Sequence, residues 1–553
     1  MGFGFRLGFR CSIATFSVAS ATLLLVACAS AGPDYRKPAA PVPVTYREQP
    51  GWKAGEPSAA DDRPVFWTIF HDPMLDDLEN RVLVSNQNLL AAEAAWREAV
   101  SAVQGAEAGF SPTVGANGAA TRSGRDGSWM GPDGHGGGKA GNQFSAGADA
   151  SWSLDLWGKV RRQVEENRAN AQASATDLAG VRLSAQSALA ADYFALRAAD
   201  AQYRLLLATI TDDQRSLDIT KHQHDAGIVS NADVLQAEAQ VESAQAAAIG
   251  TGVTRAHLEH AIAVLIGVPP TDFRLPAIPA TDPHVAHDLV DPPAIPVGLP
   301  SRLLERRPDI AGAERRMAAA NAAVGVAAAA YYPDLTLSAS FGYSSSALNT
   351  LFRAPNALWS LGPQLAETIF DGGLRDAQSA QARAAWDASV AQYRATVLAA
   401  FQQVEDGLSD LRILAEQEQA QDRAVAAAEA AQQLILNQYR AGTVAYTSVI
   451  TAMNDTVSAR VSALSLRQQR LASAVALIEA LGGGWDVHQP DAFDPSKASA
   501  TAAAEVSATA AVAASATAAA PAPEDPATAP LTMPVSATAA TAATATPAAP
   551  ASP

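Results

Sequence analysis

The amino-acid sequence predicts an α+β membrane protein: long α-helical hairpins joined to four membrane-crossing β-strands, in a chain of two related halves. Three observations predict it. Four short segments alternate apolar and polar residues with a period of two. Long alanine-rich stretches between them carry a helical pattern. Segments 215 residues apart match each other. The bulk composition agrees, since the 553 residues are 48% hydrophobic but only 6% aromatic, alanine supplying much of the apolar total. Such a chain suits long, closely packed helices better than a bulky globular core. The formal net charge of −17 argues against nucleic-acid binding, which needs a basic footprint.

The N-terminus is read first. Arg6 and Arg10 precede the apolar run CSIATFSVASATLLLVACAS. That run is too short and too early for a permanent span, so residues 1–27 are expected to be a secretory signal peptide. It ends in Leu25, Val26, Ala27 and Cys28, which resembles a bacterial lipobox, so Cys28 is the expected lipidation site. The alternative is an ordinary small-residue cleavage site with a chance cysteine. Cys11, the other of the two cysteines, lies inside the removed segment and leaves Cys28 nothing to pair with. Acyl chains contribute about 0.8 kcal/mol per buried methylene and anchor the terminus. Ala29, rather than aspartate, follows the cysteine, which favours the outer membrane over retention at the inner one. Residues 28–80 are then a lipidated N-terminal segment.

The repeat sets the domain plan. HQHDAGIVSNADVLQA at 222–237 aligns with NQYRAGTVAYTSVITA at 437–452, and the same offset pairs Arg255 with Arg470 and Gly267 with Gly482. The first repeat is expected over 81–268, with strands near 112–122 and 144–157. The second is expected over 301–485, with strands near 333–345 and 357–370. Helices are expected from about Lys159 to Asp200, Gln202 to Ile266, Leu374 to Leu414 and Gln417 to Leu481. A proline-rich connector fills 269–300, a glycine-dense loop spans 122–143, and an Ala/Thr/Pro tract over 486–553 is expected to be disordered.

The strands are two-faced. In FSAGADASWSLDLW, Phe144, Ala146, Ala148, Ala150, Trp152, Leu154 and Leu156 share one parity, while Ser145, Gly147, Asp149, Ser151, Ser153 and Asp155 share the other. Leu335, Leu337, Ala339, Phe341 and Tyr343 repeat the pattern, as do Trp359, Leu361 and Leu365. One reading is soluble: two hairpins packed on a helix. The other is a tilted membrane crossing, which the lengths fit and the expected lipid anchor favours. A bilayer admits only closed barrels, and four strands cannot close one, since even small barrels have about eight. Two copies give about eight strands with a filled interior, and three give about twelve around an aqueous lumen. Cyclic symmetry closes such an assembly, and three is favoured. On this reading Trp152 and Trp157 approach the periplasmic interface, and Asp155 with Gly158 marks the turn into a helix.

The chain resembles the TolC/OprM-type outer membrane factors, most closely their NodT-like lipoprotein branch. AGPDYRKP at 31–38, FWTIFHDPMLDDL at 66–78, WSLDLWGKVRRQVE at 152–165 and LERRPDIAGAE within 299–335 carry the resemblance, with IFDGGLRDAQ at 369–378 and FQQVEDGLSDLR at 401–412. It covers about Cys28 to Gly484; the long first loop and the tail depart from the pattern. The resemblance implies a homotrimeric channel, a β-barrel in the outer membrane continued by an α-barrel in the periplasm. It implies a periplasmic adaptor and an inner-membrane RND-class transporter as partners, with no catalysis and no cofactor beyond the lipid. It also implies a closed periplasmic end ringed by acidic side chains. VEDGLSDLR matches that end, so Asp406 and Asp410, four apart on one helix face, are the gate candidates; solvated carboxylates near a turn are the plain alternative. A weaker equivalent lies near Asp200 and Tyr203. Gly227, Gly442 and Thr443 are candidates for adaptor docking, the alternative being glycines that relieve crowding or break a helix.

Enzyme chemistry finds no footing. The sequence has no HExxH, GxSxG or Walker A motif, and its histidine pairs lack further ligands at zinc spacing. GHGGGK at 134–139 has no nucleophile motif to serve. A lipid-anchored structural or adhesive protein is the reading of a different class, separated from a duct by conductance. The cargo stays open between drugs, metals and other small molecules.

Overall fold

The computed structural model describes residues 30–40, 42–43, 46–48, 66–124, 140–277, 290–293, 295 and 306–485. Cys28, the signal peptide, GHGGGK and the 486–553 tail lie outside them. Two very long helices dominate: α3 (Lys159–Asp225) and α6 (Leu374–Arg440), of 67 residues each, about 100 Å at 1.5 Å per residue. Each folds back into a 35-residue helix, α4 (Asn231–Leu265) after α3 and α7 (Tyr446–Ala480) after α6. Shorter helices α1 (Pro73–Ser85), α2 (Gln87–Glu107) and α5 (Pro308–Ala329) complete the set. No helix among the described residues is long and apolar enough to cross a membrane.

The helix breaks differ from the sequence expectation. Both long helices run straight through residues 200 and 414. Nothing in AADAQY or ILAEQEQ stops a helix, because these are mostly strong helix formers. The breaks fall instead at Ala226-Gly227 and Ala441-Gly442, where each glycine has φ of +73° and closes the helix end as a left-handed cap. Gly227 N donates to His224 O at 2.8 Å and Gly442 N to Tyr439 O at 2.9 Å. Ser230 then restarts α4 through a capping box with Asp233.

A 35-residue helix cannot line a 67-residue one, so a second short helix continues it. At Asn86, where α1 ends and α2 begins, the side-chain amide donates to Leu265 O of α4 at 2.8 Å. Arg307, just before α5, donates to Ala480 O of α7 at 2.9 Å. Gly267 and Gly482 sit at these two splices with φ of +70° and +93°, and a Cβ on either would strike the carbonyl of Ser85 or Arg306. The match between these glycines in the repeat is therefore a requirement of chain crossing.

Around the splices lies the main core. Phe70 and Phe194 rings meet at 4.8 Å, and Leu75, Leu78, Val82, Ile262, Val404 and Leu477 are buried with them. Asp72 caps α1 through Met74 N and accepts from Tyr193 OH at 2.5 Å. The N-terminal strand-like segment is strapped along the outside. Arg162, only 4% exposed, donates to Ala31 O and to Asp34 and Glu165. Glu314 accepts from Tyr35 and Lys37, and Glu405 accepts from the Arg47 and Glu48 amides at 2.7 and 3.0 Å.

Four strands form one antiparallel meander in the order β1 (Thr113–Ser123), β2 (Gly141–Ser153), β3 (Asp334–Ser345) and β4 (Ala357–Ala366). β2 stops at Ser153, so Leu154 and Leu156 are not part of its apolar face. The chain turns there because Asp155 adopts φ of +37°. β4 likewise stops at Ala366, short of the expected 370.

One core residue is out of place chemically. Glu79 of α1 is fully buried, and neither carboxylate oxygen has a hydrogen-bond partner. Burial, with neighbouring Asp76, pushes its pKa up from 4.5 to about 9. The folded chain thus keeps a proton that the unfolded chain releases, and stability falls as pH rises from about 4.5 towards 9. Replacing Glu79 with Leu is expected to flatten that loss and to stabilise the helical region by on the order of 2 kcal/mol at neutral pH. Thermal melts of both proteins across that pH range check this; parallel wild-type and variant curves would refute it.

Candidate functional site

The sheet has two faces and two bare edges. Register places Ala148, Phe341 and Trp359 in one row, with Ala150, Ala339 and Leu361 in the next. This apolar face is open: Trp359 is 77% exposed and Leu361 65%. The opposite face holds Thr113, Asn117, Ser145, Asp149, Ser151, Ser338, Ser340 and Ser360; the basic residue of the described strands, Arg122 near the end of β1, falls on the other parity. Hydrogen bonds cross it from Asn117 to Asp149 at 3.2 Å and between Ser340 and Ser360 at 2.8 Å. The outer edges of β1 and β4 have no strand partner among the described residues. An apolar face open to its surroundings, a hydroxyl-rich face behind it and unmatched edges make a wall segment.

Each half joins sheet to long helix in the same way. Asp155 accepts from Val160 N at 2.8 Å and from Arg161 N and Nε, while Gly158 opens α3. Asp371 accepts from Gly373 N, Arg375 N and Arg375 Nε at 3.0, 3.2 and 2.6 Å, and Gly373 opens α6. The Arg375 guanidinium holds the Asp371 carboxyl below its usual range. Aromatics collar this level: Trp152 Nε1 donates to Phe110 O, and Trp157 donates to Pro333 O and stacks on Tyr332 at 4.8 Å. Ser30 packs against Gly158 here, so the chain two residues after Cys28 sits at the sheet–helix joint.

At the far end the two hairpin turns carry Gly227, Gly442 and Thr443, all exposed. Ile228 beside Gly227 is 72% exposed. The hairpins pack on each other just behind the turns through Leu217, Val241, Tyr439, Tyr446, Val449 and Met453. Tyr439 OH donates to Gln223 at 2.8 Å, Tyr446 OH pairs with Ser216 at 3.1 Å, and Gln240 donates to Asn454 at 2.8 Å. The sequence quoted these tyrosines only as part of a repeat; their pairing with α3 depends on how the two halves meet.

The acidic candidates lie elsewhere. Asp406 and Asp410 are exposed on one face of α6, as their spacing predicts, but at mid-length. They are about 45 Å from the turn by helix rise, level with the strap contacts to Glu405 and Arg412. The expectation that VEDGLSDLR forms the helical end is therefore corrected, because α6 continues to Arg440. Asp200 is also mid-helix and buried, bonded to Arg197 at 3.4 Å and Arg255 at 2.8 Å; its neighbour Tyr203 lies on an open helix face. Neither marks a turn.

The outer membrane efflux protein family model matches residues 78–268 and 299–483, one match for each half. The chain belongs to this family. The chain is 30% identical to the toluene efflux pump outer membrane protein TtgC of Pseudomonas putida over 472 residues, 85% of this chain and 95% of that one. It is 30% identical to the cation efflux system protein CusC of Escherichia coli O6:H1 over 477 residues, 86% of this chain and 99% of that one. Among solved structures, the outer-membrane channel OprN superposes with a TM-score of 0.74 at 29% identity, covering 82% of this chain and 99% of that one. As an outer membrane efflux protein the chain is the channel component of an efflux pump, with its sheet in the outer membrane and its helices extending into the periplasm. The apolar sheet face then meets lipid, and the soluble two-hairpin alternative falls.

This assignment predicts opposite tolerances on adjacent residues of β4. Leu361→Asp puts a charge on the lipid face and is expected to cost on the order of 1–2 kcal/mol at mid-membrane, cutting the outer-membrane yield. Ser360→Asp faces the other way and should insert at close to the normal yield. Equal yields would contradict the facing.

Proposed function

We propose that three copies of the chain close a barrel of about twelve strands and a coaxial helical cylinder, making a passive exit duct for small molecules from periplasm to exterior. The observation that carries this reading is the two-faced sheet with both edges unmatched, since a bilayer forbids unpaired strand edges. The duct serves a periplasmic adaptor and an inner-membrane transporter of the RND class, which supplies the energy. The lining of hydroxyls and amides suits passage of unlike solutes. So does similar identity to relatives named for toluene and for cation efflux.

Cys28 carries the lipid in this reading. Its support is the lipobox-like sequence and the attachment of Ser30 beside the aromatic collar, which brings the acyl chains to the membrane surface without slack. The exposed turns at Gly227 and at Gly442 with Thr443 are the adaptor-docking surfaces, small residues allowing close approach. Closure at rest belongs to these same tips, about 45 Å of helix rise beyond Asp406 and Asp410.

Purified full-length protein in planar bilayers is expected to show discrete pores. Sealed bilayers would leave the non-conducting anchored protein as the better reading. In cells, Gly227→Trp with Gly442→Trp should abolish export while the trimer still assembles in the outer membrane. Normal export by that variant would remove the turns from docking. Cys28→Ser should lose metabolic palmitate labelling, and retained label would move the lipid elsewhere.

A further inference from the structure

Behind the tips, α3 turns a continuous stripe inward: Leu206, Thr209, Asp213, Leu217 and Thr220 are all buried at helical spacing. Asp213 is the anomaly. It is 2% exposed, and neither carboxylate oxygen has a hydrogen-bond partner. Thr209 and Thr220 in the same stripe satisfy themselves on the carbonyls of Leu205 and Ser216. The bonds that tie the two hairpins together lie around it, Ser216 to Tyr446 and Gln240 to Asn454.

The groups that bear on this carboxyl are few. On α3 itself Asp212 repels it, and Asp212 is already paired with Arg215 at 3.2 Å. From α4 comes Gln240, a donor whose Nε2 is held by Asn454 and completes no bond of normal geometry to Asp213. From α7 comes the Tyr446 phenol, bonded to Ser216; Tyr439 of α6 is bonded further along α3, to Gln223. No cation is among the groups that act on it.

We propose that Asp213 is a proton-operated latch between the two hairpins: the protonated side chain lets the tips pack together, and the ionised one loosens them. An ionised carboxylate with no partner is costly to bury, so packing must compete with ionisation. A polar group that merely fixes register at a seam would lower the stability of the whole helical region as pH rises, as Glu79 does, without opening the tips ahead of the rest. Burial, then Asp212, raises the pKa from 3.8 to about 6 in the packed arrangement. The packed state therefore binds the extra proton, so packing is favoured below about pH 4 and is lost as pH rises through about 6. Between about pH 5 and pH 7.5 the packing equilibrium shifts by about tenfold per chain. If the tips are the mouth of the duct, acid holds it shut.

The test uses the full-length protein in lipid nanodiscs. Hydrogen exchange over residues 213–240, corrected for intrinsic rates, is expected to show about tenfold more opening near pH 7.5 than near pH 5. Asp213→Asn, and Asp213→Leu as a second variant, should be protected equally at both. His222 and His224, exposed at the end of α3, are the control as the histidines of the same hairpin. His222→Gln with His224→Gln should keep the wild-type difference. No difference in wild type, or a difference that survives Asp213→Asn, overturns the latch. Because this readout needs no current, a pH-dependent tip in a non-conducting protein would count against the duct and leave the latch standing.

Discussion

Unpaired backbone at the edges of β1 and β4 is the constraint on which the rest depends. Each N–H or C=O left without a partner in hydrocarbon costs several kcal/mol, and each edge carries a row of them. No rearrangement within one chain removes the problem, because the meander already pairs every internal edge. On the proposed reading strands from other chains meet these edges, which makes insertion and assembly one event. That demands a sheet held at a defined angle to the rest of the molecule. The twin Asp–Arg joints at Asp155 and Asp371 do this at the base of β2 and β4, and the Trp152 and Trp157 indoles fix the same level from the membrane side.

The helical part answers a second geometrical demand. Helices of about 100 Å must be covered along their length by chain that also has to turn back. Two shorter helices end to end do so, spliced at Asn86 and at Arg307. The splice places two chain ends against each other, which is why glycine recurs at Gly267 and Gly482 and why the largest core collects there. The strap from Ala31 to Glu48 crosses the same level, linking the joint near the membrane to the middle of α6. A chain duplicated in sequence thereby becomes a wall repeated in space, although among the described residues α1 has no counterpart in the second half.

Legibility followed the length scale of each signal. Strand faces were readable because a period of two is visible within a few residues: Trp359 and Leu361 fall where their parity says. Strand ends were less so, since the turn at Asp155 depends on its bonds to Val160 and Arg161. Helix ends were misplaced because alanine-rich stretches look alike throughout, and propensity near Asp200 or Leu414 carries no stop. The true stops need only Gly227 and Gly442, which the repeat had already marked. Asp406 and Asp410 went astray for the same reason, as their position along the molecule follows from where α6 ends. The strap on Arg162 and the Tyr439 and Tyr446 contacts join residues hundreds apart, which no local pattern reports.

Two buried aspartates on α3 show how stability is distributed along the molecule. Asp200 at mid-height is as enclosed as Asp213, yet Arg197 and Arg255 surround it, and Arg255 reaches on to Leu275 O and Glu259. A carboxylate held this way pins three segments together; removing one partner would strand the others at a cost of several kcal/mol. Asp213, about 20 Å further along the same helix, has no such company, and the contacts around it are tyrosine hydroxyls and a single amide pair. One helix is thus tied by charged bonds where chain segments cross and by fewer, neutral ones near its free end. A duct that must stay assembled in the membrane while its far end changes shape needs that order of strengths, and the unsatisfied carboxyl lies in the adjustable part.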